Sequence, residues 1–181
     1  MNNLLLVIDL QENFINDNTK NVPNSVKKLI DSNITNHIVF TKFINDEKSN
    51  FYKVLNYKGC MNEKDRNIVI DTKNYKIIEK RVYTAYNDEL KLYIDTNNIK
   101  IIYLCGINTD ACVFKTALDL FENNFDVKVI DDFVDNYCSG EDVEAFIQSL
   151  AVADKKTIEM IQQMSIVNQN TEEFFSSIKR W

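Results

Sequence analysis

The stretch IIYLCGINTDACVFKTALDLF, Ile101–Phe121, carries two periodicities back to back. Ile99 to Cys105 is an almost unbroken apolar run of strand length. Such a run predicts a strand buried on both faces of a parallel sheet. From Val113 on, apolar residues return at Phe114, Ala117, Leu118 and Phe121, the three-and-four spacing of an amphipathic helix. Between the two lies Gly106, one of only three glycines, expected to let the chain turn without a Cβ clash. Strand, turn and helix in this order form the repeating unit of an α/β sheet.

Outward from this unit the same alternation continues. Leu4 to Ile8 reads as a buried first strand. Pro23, the only proline, stands near the first turn of a helix marked by Val26, Leu29 and Ile30. Ile38 to Phe43 reads as a second strand. Residues 45–75 read as polar and irregular, and Ile77-Ile78 open a third strand ending near Lys80. Tyr86 to Ile94 reads as a helix and Val127 to Ile130 as a fifth strand. Val143 to Met164 and Phe174 to Trp181 read as helices, with an edge strand at Ser165–Val167. The alternation predicts one α/β domain over residues 1–181: a parallel sheet between two helical layers. No internal repeat and no Gly/Ser/Pro-rich linker interrupts it.

Composition narrows the function classes. An apolar fraction of 45% with 27% charged residues implies a globular, soluble chain. The net charge of −6 and the lack of any Lys/Arg cluster argue against a nucleic-acid surface. The first apolar run is too short to span a bilayer and lacks a basic flank, so neither membrane insertion nor secretion is expected. Cys60, Cys105, Cys112 and Cys138 form no CxxC pair, and a reducing cytoplasm with free thiols is expected. No GxGxxG or GxxxxGK[ST] motif is present, so no phosphate cradle and no cofactor is expected. The single histidine, His37, begins the second strand, away from the carboxyl ends where sites form in such sheets. That removes Ser-His-Asp and Cys-His chemistry and any histidine-based metal centre.

The carboxyl-end rule selects Asp9, Lys80 and the loop after Cys105. Asn108 or Thr109 suits the N-cap of the following helix, which places Cys112 near its first turn. There the helix dipole lowers a thiol's pKa, and backbone N–H groups can hold an oxyanion. The other reading of Cys112 is a small buried hydrophobe, the reading that fits Cys105 inside its strand. Asp9 ends an apolar strand, where a carboxylate is costly unless paired or working. Lys80 is its candidate partner, and the pair is either a structural ion pair or a base and cation beside the thiol. With no usable histidine, Asp9, Lys80 and Cys112 make the best available triad.

VIDLQENF (Val7–Phe14), EKRVYTAY (Glu79–Tyr86) and GINTDACVFKTALDL (Gly106–Leu120) resemble the three signatures of the isochorismatase-like cysteine hydrolases, a superfamily that includes nicotinamidases and other small amidases. The resemblance implies a six-stranded parallel sheet of Rossmann-like topology in a three-layer α/β/α fold. It implies Cys112 as nucleophile, Asp9 as base and Lys80 as third member. It also implies a cis peptide at Ile107–Asn108, an oxyanion hole from the N–H groups of Asn108 and Cys112, and a homo-oligomer. Phe14, Tyr83 and Ile107 are the expected pocket residues, and the implied substrate is a small amide or ureide cleaved through a thioester. Nicotinamidases hold a metal with an acidic residue and histidines after the second strand. TKFINDEKSNFY (Thr41–Tyr52) offers Asp46 but no histidine, so no metal is expected. A nicotinamidase-like enzyme with an atypical metal site and a silent binding protein of the same fold are the alternatives.

Overall fold

The computed structural model describes residues 2–33, 35–72 and 74–135. These fall into two compact units, one of residues 2–46 and 59–135, the other including residues 47–58. In the first unit five strands pair in the order β3-β2-β1-β4-β5, every neighbouring pair parallel. They are β1 (Asn2–Ile8), β2 (His37–Phe43), β3 (Lys76–Lys80), β4 (Ile99–Ile107) and β5 (Asp126–Asp135). The sixth strand expected at Ser165–Val167, the helices expected beyond Val143, and Cys138 lie outside the described residues.

The central strand explains the core. Leu4, Leu5, Leu6, Val7 and Ile8 are all fully buried, as a strand flanked on both sides and covered on both faces must be. Each such side chain stabilises the fold by about 1.5–3 kcal/mol. Side chains alternate along a strand, so Leu4, Leu6 and Ile8 share one face. There they pack with Ile78, Ile102 and Leu104 of the sheet and with Leu90, Ile94, Ala117 and Leu120. These last four come from helices α4 (Asp88–Thr96) and α5 (Phe114–Glu122). Helix α1 (Val22–Asp31) buries a separate set, Val22, Val26, Leu29 and Ile30, and packs against β4 and β5. Its proline stands in the first turn, where the missing N–H costs nothing.

Several boundaries differ from the sequence reading. The helix expected from Tyr86 starts at Asp88, because the Asn87 side chain accepts the Leu90 N–H and sets the N-cap there. Residues 45–75 hold two short helices, α2 (Asn50–Lys53) and α3 (Glu63–Arg66), capped by Ser49 and Asn62. The fifth strand, expected to end at Ile130, runs on to Asp135, because Val134 and Asp135 keep pairing with Gly106 and Ile107. Strand β4 itself runs two residues past Cys105.

That extension corrects the reading of Gly106. It is a strand residue at φ +115°, in register with Ile8 of β1. A Cβ built there would lie 2.1 Å from the Ile8 carbonyl oxygen. Glycine is required by close approach of two backbones, and the turn follows later.

Among the described residues no helix is long and apolar enough to cross a membrane.

Candidate active site

Strand order places the site. The chain leaves β1 toward β2 on one side, while β4 lies on the other, so the carboxyl end of β1 is a topological switch point. Asp9 is the first residue past β1, in the left-handed region at φ 44°, which aspartate tolerates better than most residues. Lys80 is the last residue of β3. Cys112 follows β4 in a π turn, Thr109–Val113, in which the Val113 N–H reaches back five residues to the Asn108 carbonyl. Single π turns of this kind recur at functional sites. Asn108 holds the N-cap position without a side-chain capping bond, and the Ile107–Asn108 peptide is cis.

The three side chains meet. Lys80 Nζ lies 2.6 Å from Asp9 Oδ2 and 3.3 Å from Cys112 Sγ. It also donates to the Val82 and Tyr83 carbonyls, at 3.0 Å each, and stands 5.2 Å from the Phe43 ring centre. Asp9 and Lys80 are 0% and 3% exposed, so this ion pair has no solvent to screen it. Thr41, inside β2, donates to Asp9 Oδ1 at 2.6 Å and accepts the Asp9 N–H at 3.0 Å. Thr116 of α5 donates to the Cys112 carbonyl at 2.7 Å and accepts the Ala85 N–H at 2.9 Å. It thereby ties the turn that carries the thiol to the loop whose carbonyls hold Lys80.

Burial opposes the lowering of the thiol's pKa that the helix start would bring. The Cys112 thiol is pushed up to about 12, chiefly by desolvation; Lys80 pulls it down, and Asp9 pushes it up by charge and hydrogen bonding. The first turn of a helix lowers a thiol's pKa where solvent and free N–H groups meet it. A nearly enclosed sulfur that shares its one cation with a carboxylate does not gain that benefit. At Lys80 burial works against the charge, but Asp9 and Cys112 together outweigh it and hold the ammonium above the ordinary lysine range. Cys105, fully buried in β4, is raised by desolvation alone, in keeping with a packing role.

Two predictions arise here. Lys80→Met leaves the Asp9 carboxylate buried without its counter-ion, and a loss of about 3–5 kcal/mol is expected in urea unfolding. Wild-type stability on substitution would show that Asp9 finds another partner. The second concerns alkali. Cys112 and Lys80 both hold their protons more tightly folded than unfolded. Their contribution is therefore complete below the ordinary values of 9.0 and 10.5. It is lost as pH rises through the folded values, so unfolding midpoints should begin to fall above pH 9.0. Cys112→Ala should blunt the first part of that fall; an unchanged profile would contradict the raised thiol.

The expected pocket residues are placed as follows. Phe14 is buried, its ring 6.4 Å from that of Phe43. Tyr83 packs against the core and gives its carbonyl to Lys80. Ile107, 1% exposed, closes β4. The sequence reading passed over Thr41, Phe43 and Thr116. A threonine in the strand VFTKF or on a helix reads as ordinary propensity, and only the tertiary partner reveals its hydroxyl's work.

A metal set of the nicotinamidase kind does not fit the residues present. Asp46 is ion-paired to Arg81, and His37, at the far end of β2, has its Nδ1 3.4 Å from the Tyr93 hydroxyl. Among the described residues no three His, Cys, Asp or Glu side chains are grouped to hold a metal ion.

Comparison with known proteins bears on the family and the fold. A family model described as the isochorismatase domain matches residues 3–163. Isochorismatase family protein 2A of Dictyostelium discoideum is 43% identical over 61 residues, which cover 33% of this chain and 30% of that protein. The matched stretch thus spans about a third of the curated relative's length. A nicotinamidase of Bacillus subtilis superposes with TM-score 0.68 at 19% identity, over 83% of this chain and 93% of its own. The N-carbamoylsarcosine amidase of Thermoplasma acidophilum does so with TM-score 0.67 at 22% identity, over 75% and 84%. At these identities the superpositions establish a shared fold.

Proposed function

This chain belongs to the isochorismatase family, and we propose that it is a cysteine-dependent amidohydrolase acting on a small amide, ureide or related C–N bond. The observation that carries the reading is the buried cluster in which one ammonium lies 2.6 Å from a carboxylate and 3.3 Å from a thiol. Two structural neighbours being amidases of small molecules supports the bond class.

A raised thiol pKa is compatible with nucleophilic attack when the proton moves within the cluster. Asp9 carboxylate, Lys80 ammonium and Cys112 thiol sum to zero charge. Passing the thiol proton to Asp9 leaves a neutral acid, the ammonium and a thiolate, again summing to zero. Releasing that proton to solvent would change the net charge of a buried site, which a low-dielectric interior penalises. The Lys80 ammonium has three protons. The Val82 and Tyr83 carbonyls and Cys112 Sγ take its three directions, while Asp9 Oδ2 meets the ammonium as a close ion pair at 2.6 Å. As negative charge passes from oxygen to sulfur, the ammonium proton already directed at Sγ stabilises it.

The thiolate then attacks the carbonyl carbon, and the N–H groups of Asn108 and Cys112 receive the oxyanion. Asp9 returns its proton to the leaving nitrogen as the C–N bond breaks, which leaves a thioester on Cys112. Attack of water, its proton again taken by Asp9, releases the acid and restores the thiol. No step runs through a metal. A reducing cytoplasm, which keeps Cys112 a thiol, and a homo-oligomer are part of the same proposal.

The test is ammonia release from a panel of small amides and ureides, nicotinamide included, with and without added metal. Turnover by metal-free protein is the expected result. Turnover of nicotinamide that needs added metal would favour an atypical metal site. No turnover of any member would favour a silent binding protein.

A further inference from the structure

We propose that Thr41 is a positioning residue that fixes which oxygen of Asp9 receives the Cys112 proton. The inference rests on the amidohydrolase reading above. In a free carboxylate the two oxygens are equivalent. Here they differ: the Thr41 hydroxyl holds Oδ1, and the Lys80 ammonium meets Oδ2.

A threonine hydroxyl has one proton and two lone pairs. The Asp9 N–H donates to Thr41 Oγ1 at 3.0 Å, so that lone pair is taken and the hydroxyl proton is directed elsewhere. It goes to Asp9 Oδ1 at 2.6 Å. The same residue is therefore held twice, once by its backbone and once by its side chain. Turning the carboxylate about its Cβ–Cγ bond would break the Oδ1 bond. Thr41 is 0% exposed, which leaves no route for water to replace it.

Oδ2 is left facing the chemistry, 2.6 Å from the Lys80 nitrogen that also meets the sulfur. In the proton step the Sγ–H bond breaks and an Oδ2–H bond forms. Cys112 keeps the electron pair as a thiolate, and Asp9 becomes neutral. Oδ1 remains an acceptor of the Thr41 proton throughout. The backbone under Thr41 is fixed from both sides, since Phe40 pairs with Val7 of β1 and Thr41 itself with Ile78 of β3. Strand β2 thus supplies no reacting group but sets the angle of one.

The experiment compares kcat and KM for Thr41→Val, Thr41→Ser and Cys112→Ala on the amide that the wild type turns over best. Valine keeps the shape and removes the hydroxyl; serine keeps the hydroxyl. Thr41→Val is expected to lower kcat by about 10²-fold, the scale of a misplaced catalytic group, with KM little changed. Thr41→Ser should restore most of that loss. A merely structural threonine would not give this split with serine rescue. The inference is overturned if Thr41→Val keeps kcat near wild type, if KM rises as much as kcat falls, or if serine is as impaired as valine. Should valine leave the chain unfolded by circular dichroism, Thr41→Cys, a weak donor of similar shape, takes its place under the same criteria. A dead Cys112→Ala beside an unimpaired Thr41→Val sinks this inference alone. An active Cys112→Ala sinks the amidohydrolase reading beneath it.

Discussion

Replacing Cys112 by alanine is expected to reduce turnover on the order of 10⁶-fold, the loss that follows removal of a nucleophile from a cooperating constellation. The size follows from the interdependence of the parts. In the proposed mechanism, without sulfur Asp9 has no proton to accept and the thioester cannot form. Lys80 remains paired to a carboxylate that no longer has a task. The residual rate is what oriented N–H groups and binding can still supply. Cys112→Ser is expected to fall nearly as far, because a hydroxyl gives up its proton much less readily than a thiol. Circular dichroism should report a folded chain in both variants. Turnover at the wild-type rate in either one would show that the bond is broken by some other route.

The largest expected effect on stability is at Gly106. Gly106→Ala puts a methyl group 2.1 Å from the Ile8 carbonyl oxygen, 2.7 Å from its nitrogen and 2.8 Å from its carbonyl carbon. All three atoms are backbone of the central strand, so no side chain can swing aside. The φ of +115° adds conformational strain for any residue with a Cβ. Relief requires β1 and β4 to part at their carboxyl ends. A loss of more than about 4–5 kcal/mol, the exceptional end of single substitutions, is expected in urea unfolding, or failure to fold at all. The same movement would carry Asp9 away from Cys112, so any folded fraction should be inactive. Near-native stability would mean that the two strands do not approach as closely as described.

Much of this was legible in the sequence. The apolar run Leu4–Ile8 could only be a strand covered on both faces, and Asp9 at its end was conspicuous for that reason. Alternation of strands and helices fixed the parallel sheet, and the carboxyl-end rule then gathered Asp9, Lys80 and Cys112 from three separate strands. What escaped depends on partners distant in the chain. Gly106 read as a turn because the backbone it must admit belongs to residue 8. Cys112 stayed open between a lowered thiol and a buried hydrophobe because its burial is decided by the surrounding fold, and burial outweighs Lys80. Thr41 carried no signal, since a β-branched residue in a strand satisfies propensity whether or not its hydroxyl is used.

The Asp9–Lys80 contact also bears on the order in which the molecule can assemble. Seventy-one positions separate the two charges, and β2 lies between their strands. Until β3 docks, β1 cannot enclose its terminal carboxylate without a charge penalty, however well its five apolar side chains pack. A hydrophobic collapse of β1 with β2 alone is therefore self-limiting. The central strand becomes fully committed only when β3 arrives with its lysine, so docking that strand and neutralising the proposed reaction centre are one event. A chain whose β3 frays loses the proposed reaction centre and the electrostatic closure of its core together.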